Sequence, residues 1–450
     1  MNEERLRSGL FGRLLSEHGM VLVLLILCGF FSVMTYSEQQ PTGDAAARQV
    51  ARELTRQLGN RASQEAHVLI ATRSHPEDTV FAERLAELLR SNRGVLVDVV
   101  KGEPKDALQA LRKLAERGQK LQAIATYGPS AQWLVFAELK QDFPALGDPR
   151  VFQPRSQRWP IFLKRENLLN IANQIAVIAI IAVGMTVVII SGGIDLSVGS
   201  LIALSAVVSC LLIREFAGAT QAGALGMSLS CLAAVLVCAM VGLTSGAVIT
   251  RFSVPPFIVT LGVMLMARGL AARLTQGQSV YQVPDSFTWL GRGADLAGVP
   301  NAVVLMAILY GMAHVMMSRT KLGRYLYAVG GNTEAARLSG VPVQRIQLFA
   351  YTLAGLLAGL GGVVMASQLR SAAPNYGLMY ELYVIAAVVV GGTSLSGGEG
   401  RIFGTLIGAF IIAVIWNGMN LMNVEAYTQM FVLGFIIVLA VLLDRLKSRS

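Results

Sequence analysis

One aspartate stands between two long uncharged apolar runs. Ile175 to Ile190 carries no charged side chain, and neither does Leu201 to Ile213. Between them lies Ser191-Gly192-Gly193-Ile194-Asp195-Leu196-Ser197-Val198-Gly199-Ser200. An aspartate at the centre of a bilayer costs roughly 2.5–3.5 kcal/mol. Irregular backbone persists at that depth only inside protein or beside a water-filled cavity. Glycines permit close backbone approach and positive φ, and serine hydroxyls satisfy freed backbone groups. Two readings are open: a broken or re-entrant helix lining a path, or a short polar turn at the membrane surface with Asp195 solvated.

Composition extends this to the whole chain. Hydrophobic residues make up 54% and charged residues only 15%, where soluble chains carry about 25% charged. The sequence therefore predicts an α-helical polytopic membrane protein. A net charge of +10 raises the question of nucleic acid. The excess instead lies where the positive-inside rule puts it: Arg5, Arg7 and Arg13, the stretch Arg319 to Arg345, and Arg445, Lys447 and Arg449. No nucleic-acid partner is expected. Cys28, Cys210, Cys231 and Cys238 sit in apolar runs without metal-ligand spacing and read as small buried hydrophobes. No metal site and no catalytic residue are expected.

Residues 1–37 form a basic start and a first apolar segment, Met20 to Val33. A signal peptide is the alternative, but Ser37-Glu38-Gln39-Gln40 offers no A-x-A-like cleavage site. Residues 38–160 hold most of the acidic residues and no run long enough to span a membrane. His67 to Ala71, Val95 to Val100 and Leu121 to Ala125 have strand patterns. Phe81 to Leu89, Ala107 to Arg117 and Ala131 to Leu139 have helical ones. The alternation predicts an inserted α/β domain of about 120 residues with a small parallel sheet. The topology count places it outside the cytoplasmic membrane. It has no glycine-rich dinucleotide fingerprint. His75-Pro76-Glu77-Asp78 reads as a helix start, not an acid–base cluster.

Residues 161–450 return to membrane composition. Hydropathy places spans near 171–191, 197–213, 224–249, 255–274, 300–317, 347–369, 378–396, 402–419 and 429–443. With the first segment this gives about ten spans and puts both termini, and the loop 318–347, in the cytoplasm. Arg268 and Arg273 fall late in a span and are expected to snorkel to the outer surface. Gly242/Gly246, Gly355/Gly359 and Gly404/Gly408 are GxxxG pairs that allow close helix contact, within one chain or at a dimer seam. Gly391-Gly392-Thr393-Ser394-Leu395-Ser396 echoes Gly192-Gly193-Ile194-Asp195-Leu196-Ser197, and transporters often contain paired broken helices.

Four stretches, in order, carry a resemblance: Gly192 to Ser200, Leu322-Gly323-Arg324-Tyr325, Gly330-Gly331-Asn332 through Ala335-Ala336-Arg337-Leu338-Ser339-Gly340-Val341, and Ala386 through Gly404. Together they resemble membrane permeases of ribose/xylose/galactose-type ABC sugar importers, over about residues 162–446. The resemblance implies a bacterial inner-membrane permease that retains its first helix. Its implied partners are a separate ATPase, an extracytoplasmic sugar-binding protein and a second permease subunit, as homodimer or heterodimer. The insert lies outside the resemblance. Its order of elements is weakly similar to one lobe of periplasmic sugar-binding proteins, but a sugar cleft needs two lobes.

Leu395-Ser396-Gly397-Gly398-Glu399 resembles the nucleotide-binding LSGGQ signature of ABC ATPases, yet the chain has no G-x-x-x-x-G-K-[ST]. Without that phosphate cradle, ATP belongs to the partner subunit and this chain needs no cofactor. Asn332 or Thr333 can cap a short helix with Glu334 in its first turn and Arg337 in the next, ended by Gly340. Such a helix, with Gly331, Ala335 and Ala336, resembles the ATPase-coupling helix of ABC permeases; the alternative is an ordinary connector. The substrate-pathway candidates are Asp195, Ser197, Glu381, Asn417 and Asn420, since carboxylates, hydroxyls and amides hydrogen-bond sugars. Glu381 alternatively lies at an outer surface, and the two asparagines alternatively join helices. Gly192, Gly193, Gly199, Gly391, Gly392, Gly397 and Gly398 are the expected broken-helix loop residues. Two functions stay open: a non-enzymatic permease subunit of an ATP-driven importer for a small sugar, or a membrane receptor or sensor whose α/β domain binds ligand.

Overall fold

The computed structural model describes residues 19–39, 41–58, 66–91 and 95–447. Arg5, Arg7, Arg13 and Arg449 lie outside the described residues. The chain divides into two compact units, Tyr36–Pro160 and the remainder.

The remainder begins with α1 (Gly19–Met34). Phe31 on α1 is buried, stacks on Phe162 and lies against Gly418. This helix is thus part of the larger unit's core. At its end Thr35 accepts a hydrogen bond from Ile161 N (3.1 Å), and its hydroxyl accepts one from Phe162 N (3.1 Å).

The inserted unit runs β1 (Tyr36–Gln39), α2 (Gly43–Leu58), β2 (Ala66–Thr72), α3 (Pro76–Arg90), β3 (Val95–Lys101), α4 (Pro104–Glu116), β4 (Ala123–Thr126), α5 (Leu134–Ala137), α6 (Leu139–Asp142), β5 (Arg150–Phe152) and β6 (Gln157–Pro160). β1 and β6 pair antiparallel, with Tyr36 opposite Pro160. The other strands form one parallel sheet in the order β3-β2-β4-β5. Ile70 lies opposite both Val99 and Ala125. β2 is central and apolar on both faces, as a covered parallel strand must be. Val68 and Ile70 pack one way with Leu54, Phe81 and Leu85. Leu69 and Ala71 pack the other way with Leu111, Phe136 and Leu139. That split follows the two-residue period of a strand. Pro76 opens α3 in its first turn, and the buried Asp78 accepts from Arg73 (2.9 Å). That bond raises the Arg73 pKa. The helix expected over 131–139 is divided. Trp133 and Glu138 leave helical geometry, and only α5 and α6 remain. The sequence reading missed α2, β5 and the β1–β6 ribbon.

The larger unit continues with α7 (Arg165–Ile190), α8 (Val198–Phe216), α9 (Ala224–Phe252), α10 (Pro256–Thr275), α11 (Trp289–Arg292), α12 (Asn301–Arg319), α13 (Lys321–Gly331), α14 (Thr333–Leu338), α15 (Val343–Leu369), α16 (Tyr380–Val390), α17 (Ile402–Leu421) and α18 (Ala426–Lys447). Among the described residues, seven helices are long and apolar enough to cross a membrane: α7, α8, α9, α10, α12, α15 and α17. α1, α16 and the Ala426–Leu439 part of α18 are shorter apolar helices. The expected span 378–396 is therefore too long. Its helix ends at Val390, and residues 391–401 are not helical.

α7 is the axis of this unit. Every residue from Ile175 to Ile190 is buried, the pattern of a helix surrounded by others. α9, α10 and α12 instead expose Leu236, Leu265 and Met312, as lipid-facing helices do. The first two GxxxG pairs meet inside one chain: a methyl on Gly355 would stand 3.0 Å from the Gly242 Cα. Gly404 and Gly408 pack against Gly391 and Ala387. Close backbone approach of this kind is what small residues provide between membrane helices.

Candidate functional site

α7 and α16 stop in the same way. Beyond Ile190, Gly192 N donates to Ile189 O (2.9 Å) and Gly193 N to Val188 O (3.0 Å). Beyond Val390, Gly392 N donates to Val389 O (2.8 Å) and Thr393 N to Val388 O (3.1 Å). Gly192 and Gly392 both take positive φ, +85° and +80°, where a side chain would be strained. A side-chain turn follows each stop. Asp195 Oδ1 accepts from Ser197 N (2.9 Å) and Ser197 Oγ (2.6 Å). Ser394 Oγ accepts from Ser396 N (3.3 Å). The side-chain turns match in the register of the sequence echo, Asp195 with Ser394. The helix stops match one residue later, Gly192 with Gly392.

Asp195 and Ser197 are each 1% exposed, so this is not a solvated surface turn. The next helix, α8, begins beside a different partner. The carboxylate of Glu381, in the first turn of α16, lies against Gly199, and a methyl on Gly199 would stand 2.5 Å from Gly377 O. The end of α16 leads to Gly398, which donates to Ile190 O (2.9 Å). One end of α16 therefore meets the start of α8, and the loop beyond its other end meets the end of α7. Residues 193–197 are non-helical and link the end of α7 to the start of α8. Tyr351 of α15 sets its hydroxyl against Gly193 on the way.

Arg268, expected to reach toward an outer surface, donates through Nη1 to Pro374 O (2.9 Å) and Tyr376 O (2.8 Å). The guanidinium thus holds the irregular segment that delivers Glu381 to α8. Beside this junction Ser200 Oγ and Glu381 Oε2 are buried without a hydrogen-bond partner among the described residues. Such orphaned oxygens are uncommon in folded proteins.

The short helix α14 is capped as its residues suggest. Asn332 Oδ1 accepts from Ala335 N (2.9 Å). Glu334 and Arg337 pair at 2.8 Å on an exposed face. Gly340, at φ +82°, donates to Arg337 O (3.0 Å). Ala336 is buried, and Leu338 is 82% exposed. This six-residue helix therefore has one side anchored and carries an exposed leucine beside a charged pair.

A family model described as "Branched-chain amino acid transport system / permease component" matches residues 167–441. The chain belongs to this permease family. Ribose import permease protein RbsC of Escherichia coli (strain K12) is 46% identical over 293 residues, 64% of this chain and 88% of that protein. RbsC of Bacillus subtilis (strain 168) is 43% identical over 291 residues, 64% of this chain and 88% of its own. The D-allose transport system permease protein AlsC of E. coli (strain K12) is 36% identical over 288 residues, 64% and 86% respectively. No solved structure matches.

The protein is thus a multi-pass inner-membrane permease of an ABC importer, not an enzyme, and ATP hydrolysis belongs to a separate ATPase. A substrate-binding protein is the general partner of such permeases. Family membership gives the receptor reading no support. Within the permease, Asp195 pairs with Ser197, and two residues further on Gly199 meets Glu381. Asn417 and Asn420 do not join them. Asn417 exchanges amide bonds with Asn167 (2.9 and 3.0 Å), joining α17 to α7. Asn420 accepts from Gln429 of α18 (2.8 Å). Sequence reasoning gave no site role to Tyr351, Arg268 or Gly330. Arg268 gave a signal, a cation inside an apolar run, which ordinarily marks a buried partner.

Proposed function

We propose that this permease imports a small sugar, with both termini and α14 cytoplasmic and the inserted unit outside. The observation that carries the reading is the junction of α8 with α16. Helix breaks inside the bundle set the buried Asp195–Ser197 turn just before the Gly199–Glu381 contact, with polar oxygens left over. Carboxylates and hydroxyls at the start of a helix suit a polyol. The ribose and allose named for the relatives support a monosaccharide. α14 is the surface for the ATPase, its Glu334–Arg337 pair and Leu338 facing outward. The working unit contains two permease subunits, identical or different.

The inserted unit acts in protein docking, not tight sugar binding. Among the described residues it has one parallel sheet and no second lobe to close on a sugar. A concavity at the amino ends of its strands is lined by Arg48, Arg52, Arg56, Lys120 and Arg150. Small ligands of such sheets sit at the carboxyl ends, so this basic surface fits an acidic partner face.

The test is purification of the complex with identification of its partners, then uptake of D-ribose and D-allose in proteoliposomes with the ATPase and binding protein. ATP-dependent uptake of either sugar is expected. A complex without an ATPase, or one inert to both sugars but active with another solute class, overturns the reading.

A further inference from the structure

Three separate backbones meet at Gly330, the penultimate residue of α13. A methyl there would collide with the carbonyl oxygen of Ile190 at the end of α7, and would stand 2.6 Å from Gly398 N. Gly398 N already donates to Ile190 O (2.9 Å). On the other side, a methyl on Gly397 would stand 2.9 Å from Gly330 O and 3.1 Å from the Gly192 Cα. A methyl on Gly398 would stand 2.7 Å from the Gly331 Cα. A second tie lies one turn earlier on α13, where the Tyr327 hydroxyl donates to Gly400 O (2.8 Å). Asn332, the cap of α14, follows Gly330 by two residues.

We infer that Gly330 is a positioning residue that ties movement of α14 to both interrupted helices at once. The argument is mechanical. Main chain in direct contact, with a hydrogen bond closing the triangle, has no side chain to rearrange and absorb a shift. Packed contacts of this kind pass displacement on between discrete arrangements rather than deforming gradually. A push on α14 therefore reaches the end of α7, through Ile190, and the loop after α16, through Gly397 and Gly398. The first leads through residues 193–197 to Asp195, and the second adjoins the end of α16 opposite Glu381. The inference rests on α14 being the ATPase-docking helix.

The experiment reads hydrogen exchange in the full complex with its ATPase, with and without ATP under non-hydrolysing conditions. Peptides covering residues 193–197 and 394–400 are followed. Unmodified permease and Gly311→Ala, a glycine on α12 with open space around its Cα, are expected to show an ATP-linked change in both peptides. In Gly330→Ala, with the ATPase still bound, the change is expected to fall about tenfold, and in Tyr327→Phe about threefold. Tyr327→Phe keeps its packing and decides the matter if Gly330→Ala does not fold. Absence of any ATP-linked change in the unmodified complex, or a full change in both variants, overturns the inference. Glu334→Arg separates the two readings. A full ATP-linked change in that variant removes the docking role of α14. Its loss alongside normal Gly330→Ala and Tyr327→Phe removes only the junction.

Discussion

The carboxylate of Glu381 rests against the Cα of Gly199, so the first turns of α16 and α8 touch with no side chain of α8 between them. A helix start carries partial positive charge, which favours an acidic group there. The contact also explains why the position is glycine, since any Cβ would occupy the carboxylate's place.

Gly199→Ala should therefore damage the permease more than Glu381→Gln. The added methyl overpacks the junction at a cost of about 1–3 kcal/mol, while the amide keeps the size and an acceptor. Thermal unfolding in detergent and sugar uptake in vesicles measure this. Equal behaviour of the two variants would show that the contact is dispensable.

At Asp195 the sequence of outcomes runs from mild to severe. Asp195→Asn keeps an oxygen for Ser197 N and Ser197 Oγ and should retain partial uptake. Asp195→Leu strands both donors in a buried place, costing about 1–3 kcal/mol for each unsatisfied group. Loss of uptake or of folded protein is expected, and near-native uptake by the leucine variant would place the residue at the periphery.

The helix α14 depends on its cap. Asn332→Ala removes the bond from Ala335 N and should weaken the helix by about 1 kcal/mol. Glu334→Arg, or deletion of Ala335 and Ala336, should uncouple transport from ATP hydrolysis without unfolding the membrane unit. Substrate-stimulated ATPase activity in reconstituted complex is the readout, and full stimulation in all three would argue for a plain connector.

Arg268 tests the segment before α16. Arg268→Met leaves Pro374 O and Tyr376 O without their donor, and should lower the melting temperature and abolish uptake. Arg268→Lys, with a cation but no planar fork, should fall between. Unchanged uptake in Arg268→Met would mean that the segment holds its course unaided.

A fragment covering Pro41 to Pro154 contains the four-stranded sheet and both of its packed faces. It should be soluble, melt cooperatively, and show no sugar affinity at millimolar concentration by calorimetry. Tight binding of a sugar by the fragment would revive a ligand-sensing role.

The helices were legible because their apolar runs are long, and α14 because its cap residues are local. The strands β2, β3 and β4 were legible as short apolar runs between turns. α2 was missed because its buried face is mostly small, Ala46, Ala47 and Ala51 with Val50 and Leu54, amid arginines. The site divides the same way. Asp195 and Gly192 announced themselves by standing in apolar surroundings. Gly330 did not, because its role depends on Ile190 and Gly398, and no local pattern encodes a meeting of segments that far apart. Asn417 looked like a pathway residue because it is a polar side chain near the membrane interior and amides hydrogen-bond sugar hydroxyls. Its partner proved to be Asn167, a choice only the fold reveals.

Thr35 and Ile161 share a hydrogen bond, and Tyr36 faces Pro160 at the foot of the ribbon. The chain thus departs for the inserted unit and comes home at a single point. In evolutionary terms the insert is a cassette: a gene could gain or lose it by one local event, without re-threading any membrane helix. In the laboratory, the same adjacency makes Thr35 and Ile161 a ready-made splice, where a one- or two-glycine bridge would yield a permease stripped to the part its relatives share.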